Sequence, residues 1–129
     1  MKLLIDSDVL IEVSRGRNQH VVRDWKALAA SSAALLCSAV TVAELWHGAL
    51  PEEQDALEDL LTALLCLPAD RSVARLAGDY LRQYHRSHGV GLGDALIAAT
   101  ASIHSASLWT RNHKHYPMRD LVFWDRTLL

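Results

Sequence analysis

The chain has 129 residues, half of them apolar and 22% charged, with a formal net charge of −2. That describes about one globular domain with enough chain to bury a core. It argues against a strongly basic free nucleic-acid binder, though not against a nucleic-acid enzyme whose acidic ligands lower the apparent charge. No apolar stretch reaches the ~18 residues of a membrane span, and no signal-peptide pattern precedes the first apolar run. A single domain over residues 1–129, cytoplasmic, is expected.

Lys2-Leu3-Leu4-Ile5 is a short apolar run that stops at Asp6-Ser7-Asp8. It reads as a strand buried on both faces, with Asp6 at its carboxyl end. Residues 9–14 predict a short helix ending near Gly16, and residues 20–30 a second one. Residues 33–37 form the next apolar strand. A helix follows over 38–48, with Glu44 near its start. Pro51 opens a helix over 52–64, whose acidic first turns suit the positive end of the helix dipole. Residues 65–67 predict a third strand, 72–88 a long amphipathic helix and 89–93 a glycine-punctuated turn. Asp94 then opens a very apolar helix to residue 104. A fourth strand over 107–110, a polar loop over 111–117 and a fifth strand over 121–124 complete the chain. Strands alternating with helices predict an α/β fold, mostly parallel, with helices on both faces of the sheet. Cys37 and Cys66 both lie in apolar stretches and read as reduced core thiols.

Asp6, Glu44 and Asp94 are far apart in sequence, yet all fall where strands end and following helices begin. In a parallel sheet those points gather at one edge. Thr110 and Asn112, after the fourth strand, reach the same edge. An oxygen-rich set without Cys or His suits Mg²⁺ or Mn²⁺ rather than zinc. Each carboxylate also has an ordinary reading. Thr41-Val42-Ala43-Glu44 fits a capping box, and Asp94 before an apolar helix fits an N-cap. Asp6, at the end of a buried strand, has little structural role to explain it. The His85/His88 and His113/His115 pairs read as a solvated helix end and loop, not as zinc sites. Trp46 and the apolar residues 45–50 are candidates for a dimer or partner surface.

Leu4-Ile5-Asp6-Ser7-Asp8-Val9-Leu10-Ile11 resembles the opening motif of PIN-domain ribonucleases, close to the VapC-like toxins of toxin–antitoxin pairs. Thr41-Val42-Ala43-Glu44-Leu45 resembles the second acidic motif. Gly93-Asp94-Ala95-Leu96-Ile97-Ala98-Ala99-Thr100-Ala101 resembles the third, the most specific of the set. Leu108-Trp109-Thr110-Arg111-Asn112-His113-Lys114-His115-Tyr116 resembles the closing motif. The resemblance implies a PIN-like three-layer fold with a five-stranded parallel sheet in the order 3-2-1-4-5. It implies an endoribonuclease dependent on Mg²⁺ or Mn²⁺, a homodimer and a neutralising antitoxin. Asp6, Glu44 and Asp94 would be the catalytic metal ligands.

The chain departs from the family pattern at two places. Asp8 stands where Asn is common, and His115 where an Asp is often found. Asp8 and Asn112 are therefore the candidates for a further ligand, directly or through water. Ser7 and Thr110 would orient ligands or substrate, and Arg111 and Lys114 would touch phosphate. Three alternatives fit parts of the sequence. Asp6-Ser7-Asp8-Val9 also matches the Asp-x-Asp signature of haloacid-dehalogenase-like phosphatases, with Asp6 as nucleophile. Asp6, Thr110 and Lys114 match a receiver-like signalling module. A non-enzymatic binding protein could use the acidic edge to capture an arginine.

Overall fold

The computed structural model describes all 129 residues apart from the side chain of Leu128. In chain order they form β1 (Lys2–Ile5), α1 (Ser7–Arg15), α2 (Gln19–Ala29), β2 (Ala34–Ser38), α3 (Ala39–Gly48), α4 (Gln54–Thr62) and β3 (Leu65–Leu67). Then come α5 (Arg71–His88), α6 (Leu92–Ile103) and β4 (Ser107–Trp109). The strands pair in parallel in the order β3-β2-β1-β4.

Along β1, side chains alternate between faces, as strand geometry requires. Leu3 and Ile5 pack with Cys37, Trp109 and the apolar sides of α1, α2 and α4. Leu4, Leu36 and Leu108 pack on the other face, against α5 and α6. The centre of the sheet is therefore covered on both sides, and Leu3, Leu4 and Ile5 form an unbroken apolar run because neither face of β1 meets water there. In α6, Ala95, Ala98, Ala99 and Ala101 are buried, small enough to let α5 and the sheet approach closely. Gly16, just past α1, and Gly89, just past α5, take left-handed φ of 65° and 67°, the C-terminal signals that a glycine satisfies without steric cost.

Two expectations need correction. The fifth strand is reduced to an isolated parallel bridge between Leu108 and Phe123. The Leu108 N–H donates to the Val122 carbonyl at 2.8 Å, and the Trp124 N–H to the Leu108 carbonyl at 2.9 Å. The segment lies in the fifth position beside β4, but β4 is short. Only its middle residue turns its amide and carbonyl away from β1, so one bridge is all it can offer. Of the two thiols, Cys37 is buried but Cys66 is exposed, since β3 is an edge strand. Among the described residues no helix is long and apolar enough to cross a membrane.

Candidate active site

Strand register brings the acidic edge together. Ile5 pairs with Trp109, and the Asp6 N–H extends that ladder by donating to the Trp109 carbonyl at 2.9 Å. Asp6 thus stands beside Thr110. On the other side Leu4 pairs with Leu36, so Ser38 ends β2 level with Asp6. Ser38 caps α3, its hydroxyl accepting from the Val40 N–H at 3.1 Å. The helix carrying Glu44 therefore starts directly at this edge.

Two of the ordinary readings fail. The cap of α3 is Ser38, so Glu44 sits in the second turn and closes no capping box. The cap of α6 is Gly91, and Asp94 is the third helical residue. Asp6, by contrast, does have a structural role. It caps α1, and its Oδ1 accepts from the Ser7 N–H at 2.8 Å. Its other oxygen is engaged differently. Oδ2 accepts from the Thr110 hydroxyl at 2.9 Å and from the Tyr116 hydroxyl at 2.8 Å.

The carboxylates converge through shared partners. The Tyr116 hydroxyl also lies 3.4 Å from Asp94 Oδ1. The Ser7 hydroxyl donates to Glu44 Oε1 at 3.3 Å. A Cβ on Gly93 would lie 3.4 Å from Glu44 Oε2, so the absence of a side chain there leaves Glu44 room beside the first turn of α6. Asp8 Oδ2 accepts from the Arg111 N–H at 3.0 Å, while its Oδ1 is buried with no hydrogen-bond partner. Among the described residues no three His, Cys, Asp or Glu side chains close into a ready-made ligand set. The oxygens are gathered at one edge rather than locked into a cage.

Burial and mutual repulsion act on these groups together. Asp8 is pushed up to about 6 by desolvation, then by the charge of Asp6. Glu44 is raised by burial and by Asp6, with Asp94 and Asp8 adding to it. Asp94 is raised by burial, and the charge of Asp6 adds to this while His115 opposes it. Tyr116 is held well above the usual phenol range by burial, then by the neighbouring carboxylates, and so keeps its proton. A group of carboxylates that resist ionisation together, one with an orphaned buried oxygen, is a donor set that a divalent cation fits.

The other predicted residues divide. Ser7 and Thr110 touch the acidic group as described. Arg111 contributes its backbone N–H, while its guanidinium lies 3.5 Å from Glu12. The Asn112 N–H donates to the Thr110 hydroxyl at 3.1 Å, and its amide nitrogen faces His115 Nε2 at 3.3 Å, not the carboxylates. Lys114 is exposed on a short 3-10 turn, His113–His115. His115 Nδ1 reaches to 3.5 Å from Asp94 Oδ2, closer to the site than a bland loop residue. Tyr116 is the residue that sequence reasoning missed. It lay inside the closing motif, but nothing in its local pattern shows that the ring is buried and its hydroxyl aimed at two distant carboxylates.

Comparison with known proteins matches residues 3–120 to the PIN domain. The chain belongs to the PIN-domain family. It is 44% identical over 117 residues to Ribonuclease VapC10 of Mycobacterium tuberculosis, covering 90% of this chain and 86% of that protein. Its fold is similar to VapBC2 from Rickettsia felis, solved bound to a DNA fragment from the promoter: TM-score 0.81, 22% identity, 97% of this chain and 100% of that one. A toxin–antitoxin complex from Klebsiella pneumoniae aligns with TM-score 0.75 at 23% identity, over 93% of this chain and 95% of that one. Membership of the PIN family replaces the haloacid-dehalogenase-like and receiver-like alternatives. Asp8, the second acid of the Asp-x-Asp signature, is tied to Arg111 and Thr110.

Proposed function

We propose that this PIN chain is a divalent-metal-dependent endoribonuclease that hydrolyses RNA phosphodiester bonds as the toxin of a toxin–antitoxin pair. The observation that carries the proposal is the convergence of Asp6, Glu44 and Asp94 on one sheet edge, linked through Tyr116 and Ser7. The likeness to a named ribonuclease over most of both chains supports it. Asp6, Glu44 and Asp94 would hold Mg²⁺ or Mn²⁺, with Asp8 nearest as a further ligand. The ion supplies Lewis acidity and positive charge against the scissile phosphate.

The chain's own residues prepare that site. Thr110 and Tyr116 donate to the same oxygen of Asp6, which fixes the carboxylate plane and leaves Oδ1 with only the Ser7 N–H on it. Ser7 orients Glu44 in the same way. Such supporting hydrogen bonds set ligand direction and basicity. A protonated His115 would offset charge on Asp94, and Lys114 stands on the exposed turn from which it could meet phosphate. The reading includes a single cytoplasmic domain, a homodimer and an antitoxin that lays an arginine-bearing segment near the acidic edge. Within residues 45–50, Trp46, 41% exposed, and Leu50, 53% exposed, are apolar residues open to such contacts.

Asp94→Asn tests the proposal. It is expected to abolish RNA cleavage with Mg²⁺ or Mn²⁺, and growth arrest on expression, while circular dichroism shows the fold retained. An equally toxic, equally active variant would contradict it.

A further inference from the structure

Helix α5 carries Arg71, Arg75, Arg82 and Arg86, all exposed. At 3.6 residues per turn the four fall within an arc of about 60° and span about 22 Å along the axis. The opposite side of α5, through Val73, Ala77 and Tyr80, is buried against the core. Core packing therefore explains one face of the helix and leaves the arginine stripe unexplained. The formal charge of the whole chain is −2, so this concentration of one sign is local. Asp79 pairs with Arg82 through one guanidinium nitrogen and is the sole acidic residue of the helix.

The stripe is not smooth. Gly78 lies on it between Arg75 and Arg82, and a Cβ there would meet nothing within 4 Å. Together with Asp79 these residues line a recess of about 380 Å³. A second recess, of about 420 Å³, is lined by Leu81, Arg82, His85, Gly91 and Leu92. Arg82 is common to both. The second recess borders the first turn of α6, the turn that carries Asp94. The His85 ring is anchored by a 2.9 Å contact from Nδ1 to the Val90 carbonyl. The positive stripe thus runs along α5 past two hollows, the second of which borders the start of α6 at Gly91 and Leu92.

We infer that this face of α5 is the docking track for single-stranded RNA, and that it feeds the strand to the acidic site; the inference rests on the nuclease reading above. Guanidinium groups bind phosphate through paired N–H donors. The first recess suits a phosphate held between Arg75 and Arg82. The second offers an imidazole, a guanidinium plane and two leucines, the surroundings in which an unstacked base is held. A second copy of this chain is a poor occupant, because two such helices packed together would oppose arginine with arginine.

The test is binding of a fluorescein-labelled, mixed-sequence 20-nucleotide RNA by anisotropy across a NaCl series, in an Asp94→Asn background so that the RNA survives. The triple variant R75Q/R82Q/R86Q is compared with R17Q/R23Q/K26Q, which removes the same charge from exposed positions before and on α2. The α5 triple is expected to weaken binding at least tenfold and to reduce the slope of log K against log salt by at least ~0.7, the value for one lost single-strand phosphate contact. The α2 triple should leave the slope unchanged. Gly78→Glu should weaken RNA binding while raising the melting temperature, since it fills the recess with negative charge and removes a helical glycine. Equal slopes for the two triples, or an α5 triple that loses only an acidic protein partner, would overturn the inference. If the wild-type chain cuts RNA and the α5 triple binds RNA normally, only this inference falls. If the wild-type chain neither binds nor cuts RNA, the nuclease reading falls and this one with it.

Discussion

The Tyr116 hydroxyl and Asp6 Oδ2 are 2.8 Å apart, although 110 residues separate them in the chain. The same hydroxyl lies 3.4 Å from Asp94 Oδ1. One neutral phenol therefore joins two carboxylates that would otherwise only repel. Tyr116→Phe keeps the buried ring and removes the donor. It should lower divalent-metal affinity and RNA cleavage by roughly 10–100-fold, the usual cost of losing a hydrogen bond to a metal ligand. The fold should survive, with stability changed by about 1 kcal/mol. Calorimetry with Mn²⁺ and a melting curve on the same sample check both halves.

The crowded carboxylates oppose folding at neutral pH. Burial, then the charge of Asp6, pushes the Asp8 carboxyl up from an ordinary 3.8 to about 6. A raised carboxyl pKa means that the folded state binds the proton more tightly than the unfolded state. Stability should therefore fall as pH rises from about 4 to about 6 and stay reduced above that. Glu44 and Asp94 are shifted in the same direction. In chelator, the melting temperature should be higher at pH 5 than at pH 7. Asp8→Asn should flatten the profile and add ~1 kcal/mol at pH 7, a figure discounted for partial solvent exposure.

Gly93 tests how closely Glu44 must approach. Its missing Cβ would sit 3.4 Å from Glu44 Oε2, ordinary van der Waals contact. Gly93→Ala should keep most of the cleavage activity. Gly93→Val, whose extra methyls extend past that contact, should displace Glu44 and cut activity at least tenfold, with Mn²⁺ affinity falling in parallel. Steady-state cleavage rates of the two variants decide the matter.

Cys37 and Cys66 are register partners on β2 and β3 but differ in access. Burial, then Cys66, pushes the Cys37 thiol up to about 12. The thiolate is the reactive form, so native protein treated with iodoacetamide at pH 8 should be labelled once, at Cys66. Unfolded protein should be labelled twice. Peptide mass spectrometry reads the positions.

Much of this was legible in the sequence, for identifiable reasons. Unbroken apolar runs such as residues 3–5 mark strands covered on both faces, and the alternation of strand and helix dictates a parallel sheet. Strand ends then place Asp6 and Thr110 together, as the register bears out. Helix starts were less legible. Thr41 looked like a cap because Glu44 follows it by three, but Ser38, level with the end of β2, takes that place. Asp94 looked like a cap because apolar residues follow it, but Gly91 is the cap and the helix begins at an exposed Leu92. The fifth strand failed because its neighbour is short, a tertiary fact its own sequence does not carry. Tyr116 was hidden for the same reason: its role depends on where Asp6 and Asp94 lie in space.

The most direct test is isothermal titration of Mn²⁺ into the wild-type chain and into Asp6→Asn, with RNA cleavage measured on the same preparations. The account predicts that the wild-type chain binds Mn²⁺ and cuts RNA only when the metal is present. Asp6→Asn should bind it at least tenfold more weakly and cut little or nothing. Equal Mn²⁺ affinity in both proteins, or cleavage undiminished in chelator, would contradict it.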